Sequence, residues 1–317
     1  LTFDKEPHVN AKAIALTLGI GLAAATSTAF AAEGTFARTL NVSGAPAITV
    51  STGSGYIHIS TGSQSEVRIN AKVKSQHGWG FNGGKGSDED RVRDITSNPP
   101  IVQNGSTITI GETHGDSSRF RNIEIDYDIS LPASTTLKVS SGSGDLDVSN
   151  VASVLSAETG SGDIRLNNVG PTPHVTTGSG TIRANGIHGA ANLETGSGDI
   201  EFHQQVAGDV KAGTGSGSVH LFGVNGGVHV RTGSGDVEID GNPSTDWKLD
   251  TGSGSIRLNL PSEAHYTLNA DTGSGSVKVD APITMQGTLN KQHIVGTIHG
   301  GGPTIRVSTG SGDISVH

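Results

Sequence analysis

The chain has no cysteine. That removes disulfides, thiolate-bound metals and a lipid-modified N-terminal cysteine from consideration. Aromatic residues are scarce, at 4%, so a core must be assembled from Val, Ile, Leu, Ala and Thr. Such side chains suit thin, layered β structure better than a thick globular interior. Positive charge is also short. Lys and Arg number 21 against 30 Asp and Glu, a formal net charge of −9, and no basic run is interleaved with aromatics. Nucleic-acid recognition requires phosphates to be neutralised, and this surface would repel them. Beyond the N-terminal region no apolar stretch is long enough to cross a bilayer as a helix.

What the chain has in excess is glycine, 47 of 317 residues, with 11 prolines and many Ser and Thr. Without a period that composition leans towards disorder. Here the glycines recur in register. A Gly-Ser-Gly corner, usually preceded by Thr, has its first glycine at Gly142, Gly160, Gly178, Gly196, Gly215, Gly233, Gly252, Gly273 and Gly310. The spacing is 18 to 19 residues until Gly252, then 21, then 37, which reads as two coils with one corner rewritten. Val151, Val169, Ile187, Val206 and Val224 keep the same time. Two registers with one period imply a physical repeat.

Side-chain parity supplies the shape of the repeat. Leu193, Thr195 and Ser197 share one face of an extended strand, yet after the corner Ile200 and Phe202 carry the apolar parity. The chain therefore switches phase at each glycine corner, which calls for positive φ or a bulge. Each unit is strand, glycine corner, strand, looser corner. A unit of this size cannot bury its own apolar face; stacked copies can. The expected fold is all-β, a single-stranded parallel β-helix (β-solenoid) with coils of about 18 residues. At ~4.8 Å per rung, about ten coils make a rod roughly 50 Å long.

Three regions follow. Residues 1–31 read as an N-terminal signal peptide: Lys5 and Lys12 precede the small and apolar run Ala13 to Ala25, and Ala29-x-Ala31 suits signal peptidase. Residues 32–135 are an irregular β region that starts and caps the solenoid, a separate small β domain being the other arrangement. Leu40–Val50, Tyr56–Ile59, Val67–Val73, Ile101–Ile110 and Ile123–Leu131 alternate like strands there, and residues 76–90 read as a long loop or lid. Residues 136–317 are the regular TGSG-repeat solenoid.

Phe36-Ala-Arg-Thr-Leu40, the Ile123 to Pro132 strand, the repeated TGSGDI corners and Gly300-Gly-Gly302-Pro303 before the final repeat together resemble a bacterial family of unknown function. It is known as toastrack domains and labelled "putative adhesin". The resemblance covers essentially the mature chain. It implies a β-solenoid outside the cytoplasmic membrane, in some members beside envelope-stress systems, and it supplies no catalytic motif. The sequence departs from that pattern in its loop at 76–90 and in ending directly on a repeat strand.

Candidate sites are weighed against structural roles. Thr159, Thr177, Thr195, Thr214, Thr232, Thr251, Thr272 and Thr309 fall at the same point of each repeat. Parity places them inside, where hydroxyls bond corner backbone, rather than on an ice-binding outer face. Asp145, Asp163, Asp199 and Asp236 follow the corners and could form a calcium ladder, although Asp beside a turn commonly caps it. Two positions on runs an outward ladder: Arg165, Arg183, Glu201, His220, Glu238, Arg257 and Lys278. Glu201 and Glu238, two rungs apart, could serve as acid and base of a polysaccharide-active enzyme, or simply belong to a salt-linked face. Trp79 and Phe81 form a candidate binding loop that could equally cover the open end. No cofactor is implied.

The expected function is a non-catalytic, adhesin-like binding or structural module, exported to the periplasm, cell surface or medium, with an envelope protein or glycan as partner. The alternatives are a polysaccharide lyase or hydrolase on the solenoid face, and a self-assembling or envelope-stress-associated scaffold. Self-association would use an unpaired edge at Ile314-Ser-Val316-His317.

Overall fold

A computed structural model describes residues 32–76, 88–112, 118–285 and 290–317. The signal-peptide reading for 1–31 and the Trp79 and Phe81 loop lie outside these residues. The described chain is all-β apart from one helix. It forms two large sheets of 13 and 14 strands, consistent with the expected solenoid. Each repeat gives one strand to each sheet, as with Ala191–Thr195 and Ile200–Val206 on either side of a glycine corner. Equivalent strands pair in parallel, Ile164 with Ile182 and Ile182 with Ile200. Once the antiparallel strands at the two ends are set aside, eleven parallel strands of one sheet stand over eleven of the other.

Alternation along each strand fills the space between the sheets. Leu193, Ile200, Phe202, Val230, Ile239, Leu249 and Leu258 are wholly buried, and Trp247 is 1% exposed. The Trp247 indole N–H donates to the Gly226 carbonyl at 2.9 Å, so its one polar atom is paired. The threonine ladder is buried as parity requires. Each hydroxyl donates to a glycine carbonyl of the adjacent rung: Thr177 to Gly162 at 2.8 Å, Thr195 to Gly180 at 2.8 Å, Thr309 to Gly254 at 2.9 Å. The Thr195 oxygen also accepts the Gly198 amide at 3.2 Å, tying down its own corner. Thr195→Val keeps the shape and deletes both bonds. It should lower stability by about 1–3 kcal/mol, read as a lower denaturant midpoint with an unchanged slope; Thr195→Ser should lose less.

The glycine corners owe their composition to close stacking. At Gly178 a β-carbon would run into the Gly160 carbonyl, and at Gly196 into the Gly178 carbonyl. The first glycine of each corner does not have positive φ, whereas the second glycine, where the phase switches, does at Gly235, Gly254, Gly275 and Gly312. At the first glycine the constraint comes from the neighbouring rung.

Coil order is where the structure departs most from sequence order. The strands Thr304–Ser311 and Ile314–Val316 do not follow the Tyr266–Ser274 coil at the end of the stack. They insert beneath it, pairing on one side with Trp247–Ser253 and Ile256–Asn259 and on the other with Tyr266–Ser274 and Val277–Val279. The 37-residue gap before Gly310 is therefore no pair of coils. It holds the strand His293–Ile298, which runs antiparallel to Tyr266–Ser274 and covers that end. It also holds the turn His299-Gly300-Gly301, all three at positive φ, that swings the chain back. Ile314–Val316 is paired on both sides, so the expected free edge there does not exist. The other end mirrors this arrangement. Ala47–Thr52 and Ile57–Thr61, first in sequence, lie between the coil of Thr107–Gly111 and Ile123–Leu131 and the coil that starts at Thr136.

Three smaller corrections follow. Leu40–Val50 divides into Glu33–Asn41 and Ala47–Thr52, and Ile101–Ile110 is a hairpin of Ile101–Asn104 and Thr107–Gly111. Residues 88–90, read as loop, begin the helix Asp88–Ser97. Its Val92 and Ile95 are buried, and Thr96 and Val92 pack against Gly34 of the first strand, so this helix closes the N-terminal end of the core. Val206 breaks the second register, being 50% exposed while Val151, Val169, Ile187 and Val224 are buried. The residue opposite Ile187 is Gln204. Its amide donates to the Gly208 carbonyl at 2.8 Å and its oxygen accepts the Asn225 amide at 2.7 Å, stitching the corner by hydrogen bonds.

Candidate functional site

The outward face of the 13-stranded sheet carries most of the side chains singled out from sequence. The Asp ladder is used by the backbone. Asp145 accepts the Asp163 amide at 2.9 Å, Asp163 the Thr181 amide at 2.9 Å, Asp199 the Ser218 amide at 2.8 Å and Asp236 the Ser255 amide at 2.8 Å. Each carboxylate thus ties one rung to the next by a charge-assisted bond. Among the described residues no three His, Asp or Glu side chains gather in a way that could hold a metal.

Two positions on, Arg165, Arg183, Glu201, His220, Glu238 and Arg257 lie side by side in strict register. Ser315, brought in by the inserted coil, separates Arg257 from Lys278. Arg165 bridges Asp145 at 3.3 Å and Asp163 at 2.9 Å. Glu201 is held by His203 at 3.2 Å and Arg183 at 3.7 Å. Glu238 is held by His220 at 3.6 Å, with Arg257 at 3.9 Å and the Asn259 amide at 3.4 Å. His220 stands on the rung between the two glutamates. The geometry places the pair as sequence reasoning expected and shows each carboxylate engaged with cationic or amide neighbours along an open sheet.

A different arrangement occupies the N-terminal end of the same sheet, where its last four strands line a broad, open cleft of about 730 Å³. Tyr56 and His58 form one wall. Their rings are nearly coplanar in orientation, 6° apart, with centroids at 6.1 Å, and Tyr56 is 39% exposed. Thr35 and Ala37 of the first strand form the opposite lip. Between them lie Asp126 and Asp128, facing Lys72 and Asn70 in antiparallel register.

The charges are unevenly committed. Asp126 accepts the Tyr56 amide at 3.0 Å and pairs with Lys74, which also holds Glu124. Lys72 is engaged with Glu33 at 3.0 Å. The side chains of Asp128 and Asn70, both exposed, make no hydrogen bond or ion pair among the described residues. The Tyr56 hydroxyl is held above the ordinary phenol range, first by partial burial and then by Asp147; Asp145 and Asp128 add to this and Arg165 opposes it. Sequence reading found these strands but not the cleft. The signal was the parity of Tyr56-Ile-His58 and of Asp126-Tyr-Asp128; what it lacked was the coil order that makes those strands neighbours.

Fold and faces together define a stacked all-β repeat protein whose long sides are ladders of paired charge. The chain belongs to the toastrack family DUF4097, whose model matches residues 47–317. Among solved structures it is similar to a "putative cell adhesion protein" from Clostridium sporogenes, at 13% identity and a TM-score of 0.26, over 90% of this chain and 98% of that one. It is also similar to a "putative lipid binding protein" from Parabacteroides distasonis, at 10% identity and a TM-score of 0.31, over 89% and 96% of the two chains. No curated protein sequence matches.

Proposed function

We propose that this protein is a non-catalytic binding module, an exported adhesin-like β-solenoid of the bacterial cell envelope. One observation carries the reading. The carboxylates that could have done chemistry on the long face, Glu201 and Glu238, are each held by partners within the ladder. Asp128 and Asn70, which make no side-chain hydrogen bond or ion pair among the described residues, lie instead beside the exposed Tyr56 at one end of the sheet. Concave sites with an apolar wall and a few free polar groups are built for binding. The family supplies no catalytic motif that would argue otherwise.

The test uses the mature chain on isolated envelope fractions of its own bacterium. Saturable retention is expected, without release of soluble sugar. Glu201→Gln and Glu238→Gln should bind as the parent does. Release of new reducing or unsaturated sugar ends, lost in either variant, would overturn the proposal in favour of a polysaccharide-active enzyme.

A further inference from the structure

We infer that the cleft between Tyr56–His58 and the Thr35–Ala37 lip is a binding site for uncharged pyranose units of a glycan. The inference rests on the binding-module reading above and names its site and ligand class. The wall comes first. A sugar ring presents a face of C–H groups that packs against an aromatic face, and the exposed Tyr56 ring, stacked parallel to His58, supplies one. Both are fixed by the fold: Ile57 between them is fully buried, and the Tyr56 amide is pinned to the Asp126 carboxylate. A wall held in place before binding loses little freedom when it binds.

The floor supplies the polar half. Asp128 and Asn70 are register partners on adjacent strands, and neither side chain has a hydrogen-bonding partner among the described residues. A free carboxylate accepts two neighbouring hydroxyls at once, and a free carboxamide both donates and accepts. That combination matches the vicinal hydroxyls of a pyranose. Farther along this sheet the ladder carboxylates are committed, as the Asp145 to Asp163 and Arg165 contacts illustrate.

Charge selects the ligand. The two lysines nearest the floor are neutralised, Lys72 by Glu33 and Lys74 by Asp126 and Glu124. Asp128 is left uncompensated, and Asp147 acts on Tyr56 more strongly than Arg165, which is itself paired with Asp145 and Asp163. Uronic acids, sialic acids, phosphates and anionic lipid headgroups would meet a net negative field and, among the described residues, no unpaired lysine there. A neutral sugar meets no such barrier.

Isothermal titration of the mature chain against neutral oligosaccharides of glucose, galactose, mannose and N-acetylglucosamine provides the test, with oligogalacturonate and chitosan oligomers alongside. At least one neutral sugar should bind, oligogalacturonate should not, and Tyr56→Ala and Asp128→Ala should each weaken binding about tenfold or more. Circular dichroism and melting of both variants should match the parent, since the side chains are exposed. Glu201→Gln serves as the unaffected control. Neutral-sugar binding that survives both cleft substitutions would overturn the site, and binding confined to chitosan would overturn the ligand class in favour of simple counter-charge. If no sugar binds while envelope retention persists, the inference fails and the binding-module reading stands.

Discussion

Removing residues 304–317 should unravel the C-terminal end of the stack, although only 14 residues are lost. These residues form a rung in the interior of the stack, so their loss strips a ladder from Trp247–Ser253 and another from Tyr266–Ser274. It also exposes the faces that Ile305, Val307, Ile314 and Val316 bury, all at most 2% exposed. Four such side chains are worth about 1.5–3 kcal/mol each in transfer alone. In a stack held together by nearest-neighbour contacts, an internal loss uncouples everything beyond it. Hydrogen exchange should show protection lost from Tyr266–Ser274 and His293–Ile298 while Ile164–Asn167 and Ile182–His188 keep theirs. The full-length variants Ile305→Ala and Ile314→Ala provide the graded version, each expected to cost about 2–5 kcal/mol. Unchanged protection in the truncated chain would mean that the rung contributes nothing, and the inserted order would be wrong.

The second large effect concerns a single methyl group. Gly178→Ala and Gly196→Ala each place a β-carbon against a carbonyl oxygen of the rung below, Gly160 and Gly178 respectively. Backbone cannot yield as a flexible side-chain end can, and overpacking of this kind costs about 1–3 kcal/mol, with the upper end expected here. Gly213 supplies the internal control. It lies in the strand Val210–Ser216, and a β-carbon there would meet only the Glu194 side chain at 3.9 Å and the Arg231 carbonyl oxygen at 4.0 Å. Gly213→Ala should be neutral or slightly stabilising, because it removes unfolded-state freedom without a clash. Comparable melting of all three variants would show that stacking distance does not select glycine at the corners.

Much of the rung itself was legible before any coordinates. The corner spacing, the buried threonines and the phase switch between Thr195 and Ile200 are local, and local parity dictates which side chains face in. Asp145 and its equivalents, expected to cap their own turns, accept instead an amide of the next rung, a long-range contact that local turn chemistry does not encode. Coil order was not legible, for a physical reason. One TGSG corner stacks on another through backbone and a common Thr hydroxyl, so nothing in the repeat says which copy is its neighbour. The choice is made by long-range pairing, such as the His293–Ile298 strand lying across Tyr266–Ser274. The helix was missed because Asp88, Glu89 and Asp90 read as loop charge. In fact they form an acidic first turn, which complements the helix dipole. Asn98-Pro99-Pro100 marks the helix end. The candidate cleft was hidden by the same ambiguity of order, since Asp128 and His58 meet only because Ile57–Thr61 pairs with Ile123–Leu131.

The threading of the final rung bears on how such a chain can be built. A polypeptide emerging N-terminus first could wind its central coils one upon the next as they appear. The coil at Tyr266–Val279, however, must wait with its underside unmatched until residues 304–316 arrive and slide in below it. The protein therefore completes itself like an arch closed by its keystone: premature termination, stalling or a frayed terminus leaves an open gap within the wall, with unpaired strands on either side. Synthesis through Thr304 to Val316 is thereby needed to close the stack, since a molecule lacking these strands leaves the coil above them unpaired.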